Sequence, residues 1–216
     1  MTAVALAACQ PSDQGAAANG SGTAVANAPA TTPAIDSAAL AGASASAGAS
    51  SGAATSDSTG LRVEVDIASR QLHVMSGDKH VAMHDVAVGS EKWPTQKGQW
   101  RITQVVYNPD WTPPDESWAE EREPRESGDP KNPLGRVQLI YDPPRTIHGT
   151  NAPSSIGKAV SHGSIRMRNA DIEKLARMLM DSTGTQKDDA FFQRVRENRK
   201  TKEIVQLAKP VPIVVK

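Results

Sequence analysis

One break in composition decides how much of this chain can build a core. Residues 10–60 are dominated by Ala, Ser, Gly and Thr, carry no Lys, Arg or His, and hold only Asp13, Asp36 and Asp57 as charges. A tract with so little large apolar surface cannot offset the entropy lost on ordering. Its interspersed Gly, Ser, Thr and Pro also oppose the helix its alanines alone would favour. It is expected to be a disordered tether, with an r.m.s. span of roughly 40 Å as a flexible coil. Folding is left to residues 61–216, a length that suits one domain. All 24 Lys and Arg lie there, with all but three of the 24 acids, so this part is slightly basic. It lacks the cationic stripe with interleaved aromatics that nucleic-acid binding needs, and Arg194-Val-Arg-Glu-Asn-Arg-Lys200 reads as a solvated helix face. No nucleic-acid partner is expected.

Within the folding part, apolar and polar residues alternate over 61–67 and 71–75, and 76–79 supplies turn chemistry before a strand over 80–88. These read as a three-strand meander. Further strands are expected at 99–107, 136–141 and 145–148, separated by an irregular, charged and proline-bearing excursion from 108 to 132. An excursion of that length is usually functional or mobile. The period then changes: Ile172, Leu175, Ala176, Leu179 and Met180 fall on one helical face, with Asn169 as N-cap and Gly184 as C-terminal stop. A short helix over 188–198 and strands at 203–207 and 211–215 complete the reading, Pro212 pointing to an edge position. The pattern is mostly β, a β-rich α+β domain with a supporting helix.

The densest chemistry lies just before that helix. Residues 146–169 hold His148, His162, Ser164 and Arg166 between glycine-rich turns. Acyl transfer needs a nucleophile, a base within reach, a group to orient the base, and donors for the oxyanion. Gly149, Pro153 and Gly157 can fold the chain back so that His148 and Ser164 face one pocket, and the turn at His162-Gly163-Ser164 presents successive backbone N–H groups suited to an oxyanion hole. His148 could equally be a structural hydrogen-bonding histidine, and Arg166 could pair with an acid of the fold.

These residues resemble the signature of the L,D-transpeptidase catalytic domain (YkuD-type): His-Gly-Thr at 148–150, Ser-Ile-Gly at 155–157, then Ser-His-Gly, a nucleophile position, an apolar residue and Arg at 161–166. The resemblance runs over nearly all of 61–215, including Asp110-Trp111, Asn132-Pro-Leu-Gly135 and the closing Pro-Val-Pro. It implies a single β-sandwich domain with the helix behind the motif. It also implies His148 as general base, the Gly149 carbonyl orienting that ring, Ser164 at the nucleophile position, and oxyanion or substrate contacts from Ser161, His162, Gly163 and Arg166. The implied reaction is acyl transfer on peptidoglycan stem peptides, with no metal or organic cofactor. Where the family has a cysteine this chain has Ser164, and its only cysteine is Cys9. A hydroxyl depends on a neighbouring base where a thiol is partly ionised. Three expectations stand side by side: a serine-dependent transpeptidase, an L,D-carboxypeptidase-like hydrolase, and a catalytically silent peptidoglycan-binding pseudoenzyme.

Leu6-Ala7-Ala8-Cys9 resembles the lipobox of bacterial lipoproteins, so residues 1–9 read as a short lipoprotein signal with Cys9 as the lipidation site. On that reading the protein is exported to the periplasmic side of a bacterial envelope and held by a lipid anchor, expected in the outer membrane because Gln10 is not the aspartate associated with inner-membrane retention. His80 and His84 have the spacing of helical metal ligands, but in a strand that spacing separates them, so no metal is expected. Trp93, Trp100, Trp111 and Trp118 read either as groove-lining residues or as core and loop anchors.

Overall fold

The computed structural model describes residues 60–216; the expectations for the signal-like segment, Cys9 and the tether up to residue 59 lie outside the described residues. Strict alternation gives the first three strands: β1 (Leu61–Asp66), β2 (Gln71–Ser76) and β3 (Lys79–Asp85) form an antiparallel meander. Val63, Val65, Leu72 and Val74, every second residue, are fully buried. β3 stops at Asp85, short of the expected end. Val86, Ala87 and Val88 are all buried, so the run has left the half-exposed surface on which alternation works. Ala87 instead exchanges two backbone hydrogen bonds of 2.9 Å with Arg166. Val88–Gly89 forms β4, which pairs in parallel with β8 (Ala159–Ser161) as a separate ribbon.

The large sheet has eight strands in the order β3-β2-β1-β10-β5-β6-β7-β9, with β5 (Gly98–Tyr107), β6 (Val137–Asp142), β7 (Arg145–His148), β9 (Ile165–Arg166) and β10 (Glu203–Val215). The last strand enters the middle of the sheet, parallel to β1 and antiparallel to β5. The two segments expected at 203–207 and 211–215 are one strand, with a register shift between Gln206 and Val211. Pro212 pairs with Arg101 of β5, while pairing with β1 begins only at Ile213. The strand is therefore central in the sheet but still one-sided at the proline, where a missing N–H is tolerated.

Two helices pack on this sheet. α1 (Asn169–Ser182) buries Ile172, Leu175, Ala176, Leu179 and Met180 completely against core residues including Val137 and Leu139, each such large side chain contributing about 1.5–3 kcal/mol. Its end is a Schellman arrangement: Gly184 is at φ 76°, Gly184 N–H donates to Asp181 O at 3.4 Å and Thr185 N–H to Met180 O at 2.9 Å. Its start differs from the expected cap. Arg168 occupies the N-cap position without a side-chain bond, and Asn169 is the first helical residue; the Asn169 amide is used elsewhere, as described below. α2 (Asp189–Glu197) is capped by Asp188, whose carboxylate accepts from Phe191 N–H at 2.8 Å.

The excursion from 108 to 132 is pinned at both ends by asparagines. Asn108, at φ 47°, donates from Nδ2 to Val195 O at 2.7 Å, with Thr201 O and Asn198 O at 3.2 and 3.3 Å, and accepts at Oδ1 from Arg199 Nε at 3.1 Å. Asn132 donates to Pro109 O at 2.8 Å, and its Oδ1 accepts from Leu134 N–H at 2.9 Å. Between them Trp111 and Arg125 exchange two backbone bonds of 2.8 Å. Asn108→Ala removes these bonds and places a Cβ residue without local polar compensation at positive φ. It is expected to destabilise the fold by about 2–4 kcal/mol in urea unfolding. A loss below about 0.5 kcal/mol would show that Asn108 does not anchor the loop.

Candidate active site

Sheet parity assembles the site. β7 and β9 pair in parallel with Ile147 opposite Ile165 and His148 opposite Arg166. Ile147 and Ile165 are fully buried in the core. Thr146, His148, Ser164 and Arg166 take the alternate positions and line one cleft, of about 240 Å³, on the other face. Along that face successive residues are about 6.6 Å apart and the strands about 4.8 Å apart, so His148 and Ser164 are diagonal neighbours. Gln138 of β6, opposite His148 in register, joins them and donates to Thr146 Oγ1 at 3.3 Å.

His148 is 5% exposed, and its Nδ1 lies 2.6 Å from the Gly149 carbonyl. A carbonyl can only accept, so Nδ1 carries the hydrogen and Nε2 keeps its lone pair. Burial, only partly opposed by the Gly149 bond and reinforced by the Arg166 charge, pushes the His148 pKa down to about 4. The ring is neutral at neutral pH.

The loop that carries this histidine is clamped by Asn169. Its Nδ2 donates to Thr150 O at 3.0 Å, and its Oδ1 accepts from Arg136 N–H at 3.0 Å. Gly149 and Gly135 give the room: a Cβ at either would collide with Asn169 Oδ1, and Gly135 is also at φ 66°. Helix start, histidine loop and the entry to β6 are thereby held together by one side chain.

Ser164 Oγ accepts from Thr146 N–H at 3.2 Å, and no hydrogen bond joins it to His148 among the described residues. The turn before it is tightened by Ser161, whose Oγ donates to Ser164 O at 2.5 Å and accepts from Gly163 N–H at 3.2 Å. Gly163 is at φ 99°, and its carbonyl accepts from the buried Thr95 hydroxyl at 3.0 Å. The Gly163 N–H is thus engaged, whereas the N–H groups of His162 and Ser164 have no partner among the described residues. Thr95 also accepts from Gly89 N–H at 2.8 Å, tying β4 to the 161–164 turn. Nothing in the local sequence signals Thr95, because its partners are distant along the chain.

Three guanidinium groups, of Arg122, Arg145 and Arg166, line the cleft with two carboxylates, of Asp110 and Glu116. Arg166 is half-buried with no ion pair among the described residues, and burial together with Arg122 holds its pKa below the usual guanidinium value. His162 lies between two indoles, stacked on Trp118 at 4.0 Å and 11° and tilted against Trp93 at 4.5 Å and 58°. Lys92 sits 4.3 Å over the Trp93 ring and Arg122 5.8 Å over Trp118. Burial, then Arg166 and Arg122, lower the His162 pKa. Trp118 and Trp111 come from the 108–132 excursion, so that loop forms a wall of the cleft. Trp100 instead packs edge-on against Tyr141 away from the cleft. Among the described residues no group of three potential ligands could hold a metal; His84 lies 3.7 Å from Asp171, and His73 and His80 meet edge to face.

Residues 60–207 match the YkuD family, described as the L,D-transpeptidase catalytic domain. A protein named L,D-transpeptidase YkuD in Bacillus licheniformis is 34% identical over 128 residues, covering 59% of this chain and 65% of the relative. One named L,D-transpeptidase YqjB in Bacillus subtilis is 32% identical over 119 residues, covering 52% and 62%. The chain thus spans less than two thirds of the length of these curated relatives. The crystal structure of L,D-transpeptidase 3 from Mycobacterium tuberculosis aligns with a TM-score of 0.48 at 10% identity, over 73% of this chain and 61% of that one.

The low pKa of His148 has a measurable consequence. Its folded value of about 4 lies below the ordinary 6.5, so between them the unfolded chain binds this proton more readily. The neutral ring's contribution is complete above about pH 6.5 and is lost as pH falls towards 4, by roughly 3 kcal/mol. In urea unfolding, His148→Gln is expected to remove that portion of the acid loss of stability. Equal slopes for the two proteins between pH 6.5 and 4 would contradict a buried neutral His148. His162 and His84 shift in the same direction and cancel in the comparison.

Proposed function

We propose that this chain, which belongs to the L,D-transpeptidase catalytic-domain family, performs acyl transfer on peptidoglycan stem peptides through an ester at Ser164. The observation that carries the reading is the neutral His148: with Nδ1–H given to Gly149 O, Nε2 is the free base on the same face as Ser164. In the proposed cycle Ser164 Oγ attacks the carbonyl that follows the L-centre of the dibasic third residue, and His148 Nε2 takes the hydroxyl proton. The tetrahedral oxyanion is met by backbone N–H groups of the 162–164 turn. The C–N bond to the terminal D-amino acid breaks, and His148 returns the proton to the departing amine. An acceptor amine then attacks the ester, passing its proton through His148 and restoring Ser164. Water as acceptor gives the carboxypeptidase outcome. Arg166 suits the carboxylates of such stems. Every step uses groups of the chain itself.

A base held near pKa 4 takes a proton from a hydroxyl poorly, so turnover with serine is slow. The second reading, a silent stem-peptide-binding protein, is favoured by one observation: Ser164 Oγ is bonded to Thr146 N–H and not to His148. The resemblance of Leu6-Ala7-Ala8-Cys9 to a lipobox supports an exported protein anchored at Cys9 to the outer membrane; a mass for the exported chain lacking a lipid thioether at Cys9 would remove that part of the reading.

Incubation with a tetrapeptide-stem muropeptide, followed by mass spectrometry of products and protein, separates the readings. Loss of terminal D-alanine with an adduct on Ser164, absent in Ser164→Ala, is the expected result. Ser164→Cys should accelerate acylation about 100-fold or more. Substrate that is bound but unchanged by both the native chain and Ser164→Cys would move the assignment to the binding protein.

A further inference from the structure

A second cleft opens between α1, α2 and the end of β5, and it shares no lining residue with the His148–Ser164 cleft. It encloses about 310 Å³, and Arg136, Lys174, Arg177, Arg196 and Arg199 line it against one lining carboxylate, Glu173. That carboxylate is divided between Arg136 Nη1 at 3.1 Å and Arg196 Nε at 3.9 Å. Arg177 reaches Asp189 at 2.9 Å, but Asp189 is 90% exposed and its charge is screened. Lys174 has neither ion pair nor side-chain hydrogen bond among the described residues. Arg199 is half-buried with Nε on Asn108 Oδ1 at 3.1 Å. Tyr107, 4% exposed and edge-on to Phe191 and Phe192, contributes to the floor, and its hydroxyl has no hydrogen-bond partner. Ala170 brings the first turn of α1, with the positive end of its dipole, to the same cleft.

Like charges gathered in a concavity repel one another unless an anion lies between them. One carboxylate does not balance this set. We propose that this cleft binds a phosphate-bearing anion, held by the guanidinium forks of Arg136, Arg196 and Arg199 and by the Lys174 ammonium. A tetrahedral phosphate suits the arrangement because it carries up to two charges and offers acceptors in several directions, so that the guanidinium forks just before β6, on α2 and just after α2 can reach it together with the ammonium on α1. Of the cationic run at 194–200, Arg196 and Arg199 thereby have a use that solvation alone does not give them. The proposal is independent of whether Ser164 turns over.

The phosphate can belong to a lipid headgroup or to a soluble molecule, and the test separates the two. The full 216-residue chain is titrated with inorganic pyrophosphate by calorimetry and amide NMR, and separately sedimented with phosphatidylglycerol vesicles. Saturable pyrophosphate binding is expected, with shifts at Ala170, Lys174 and Arg199, weakened at least ten-fold in Lys174→Gln/Arg196→Gln at an unchanged melting temperature. Arg177→Gln, at an exposed side chain, is the second variant and should weaken binding about threefold. Vesicle sedimentation lost in the same variants assigns the lipid source; pyrophosphate binding without sedimentation assigns a soluble one. No saturable binding, or binding unchanged in both variants, overturns the proposal.

Discussion

The site depends on the short parallel pairing of β7 with β9. Only Ile147 with Ile165 and His148 with Arg166 are in register, yet this contact determines which side chains share the cleft. Burying the two isoleucines forces their neighbours to the other face, because side chains alternate along a strand. A one-residue slip of β9 against β7 would turn Ser164 and Arg166 towards the core and Ile165 to the cleft. The large cost of burying those polar groups without partners protects the register. Chemistry and core packing are therefore specified by the same four-residue pattern.

So short a pairing is held from outside by side chains bonded to backbone. Asn169 holds the loop after His148, Ser161 tightens the turn before Ser164, and Thr95 holds the Gly163 carbonyl. Each takes the place of water on a backbone group of these turns, so that the group stays bonded while solvent is excluded. That exclusion is also why His148 is depressed towards pKa 4. Rigid positioning and a weak base have one cause, burial. Such a base is better matched to a nucleophile that ionises easily than to a hydroxyl, which gives the serine at position 164 its physical interest.

Local periodicity made much of this architecture legible. The alternation in β1 and β2, and the buried face of α1 from Ile172 to Met180, follow from apolar spacing alone. The turns between His148 and Ser164 also pointed to one cleft, which both line; Arg166, expected there from the family resemblance, lines it too. What escaped depends on partners far along the chain. β10 has a strand pattern, but nothing local shows that it enters between β1 and β5. Asn169 has the composition of an N-cap, yet its amide joins Thr150 to Arg136. The arginines after 194 read as solvated, whereas the packing of α2 brings Arg196 and Arg199 into a cleft with Arg136. Trp93 and Trp118 bracket His162 only because the loops that carry them converge.

The register of β7 and β9 presents a neutral His148 whose Nε2 lone pair faces the cleft that Ser164 lines. Nitrogen-15 NMR of histidine-labelled protein, followed from pH 8 to pH 3.5, tests it most directly. His148 is expected to hold its proton on Nδ1 throughout the neutral range and to gain a second only near pH 4. A proton found on Nε2 at neutral pH, or titration near the ordinary 6.5, would contradict it.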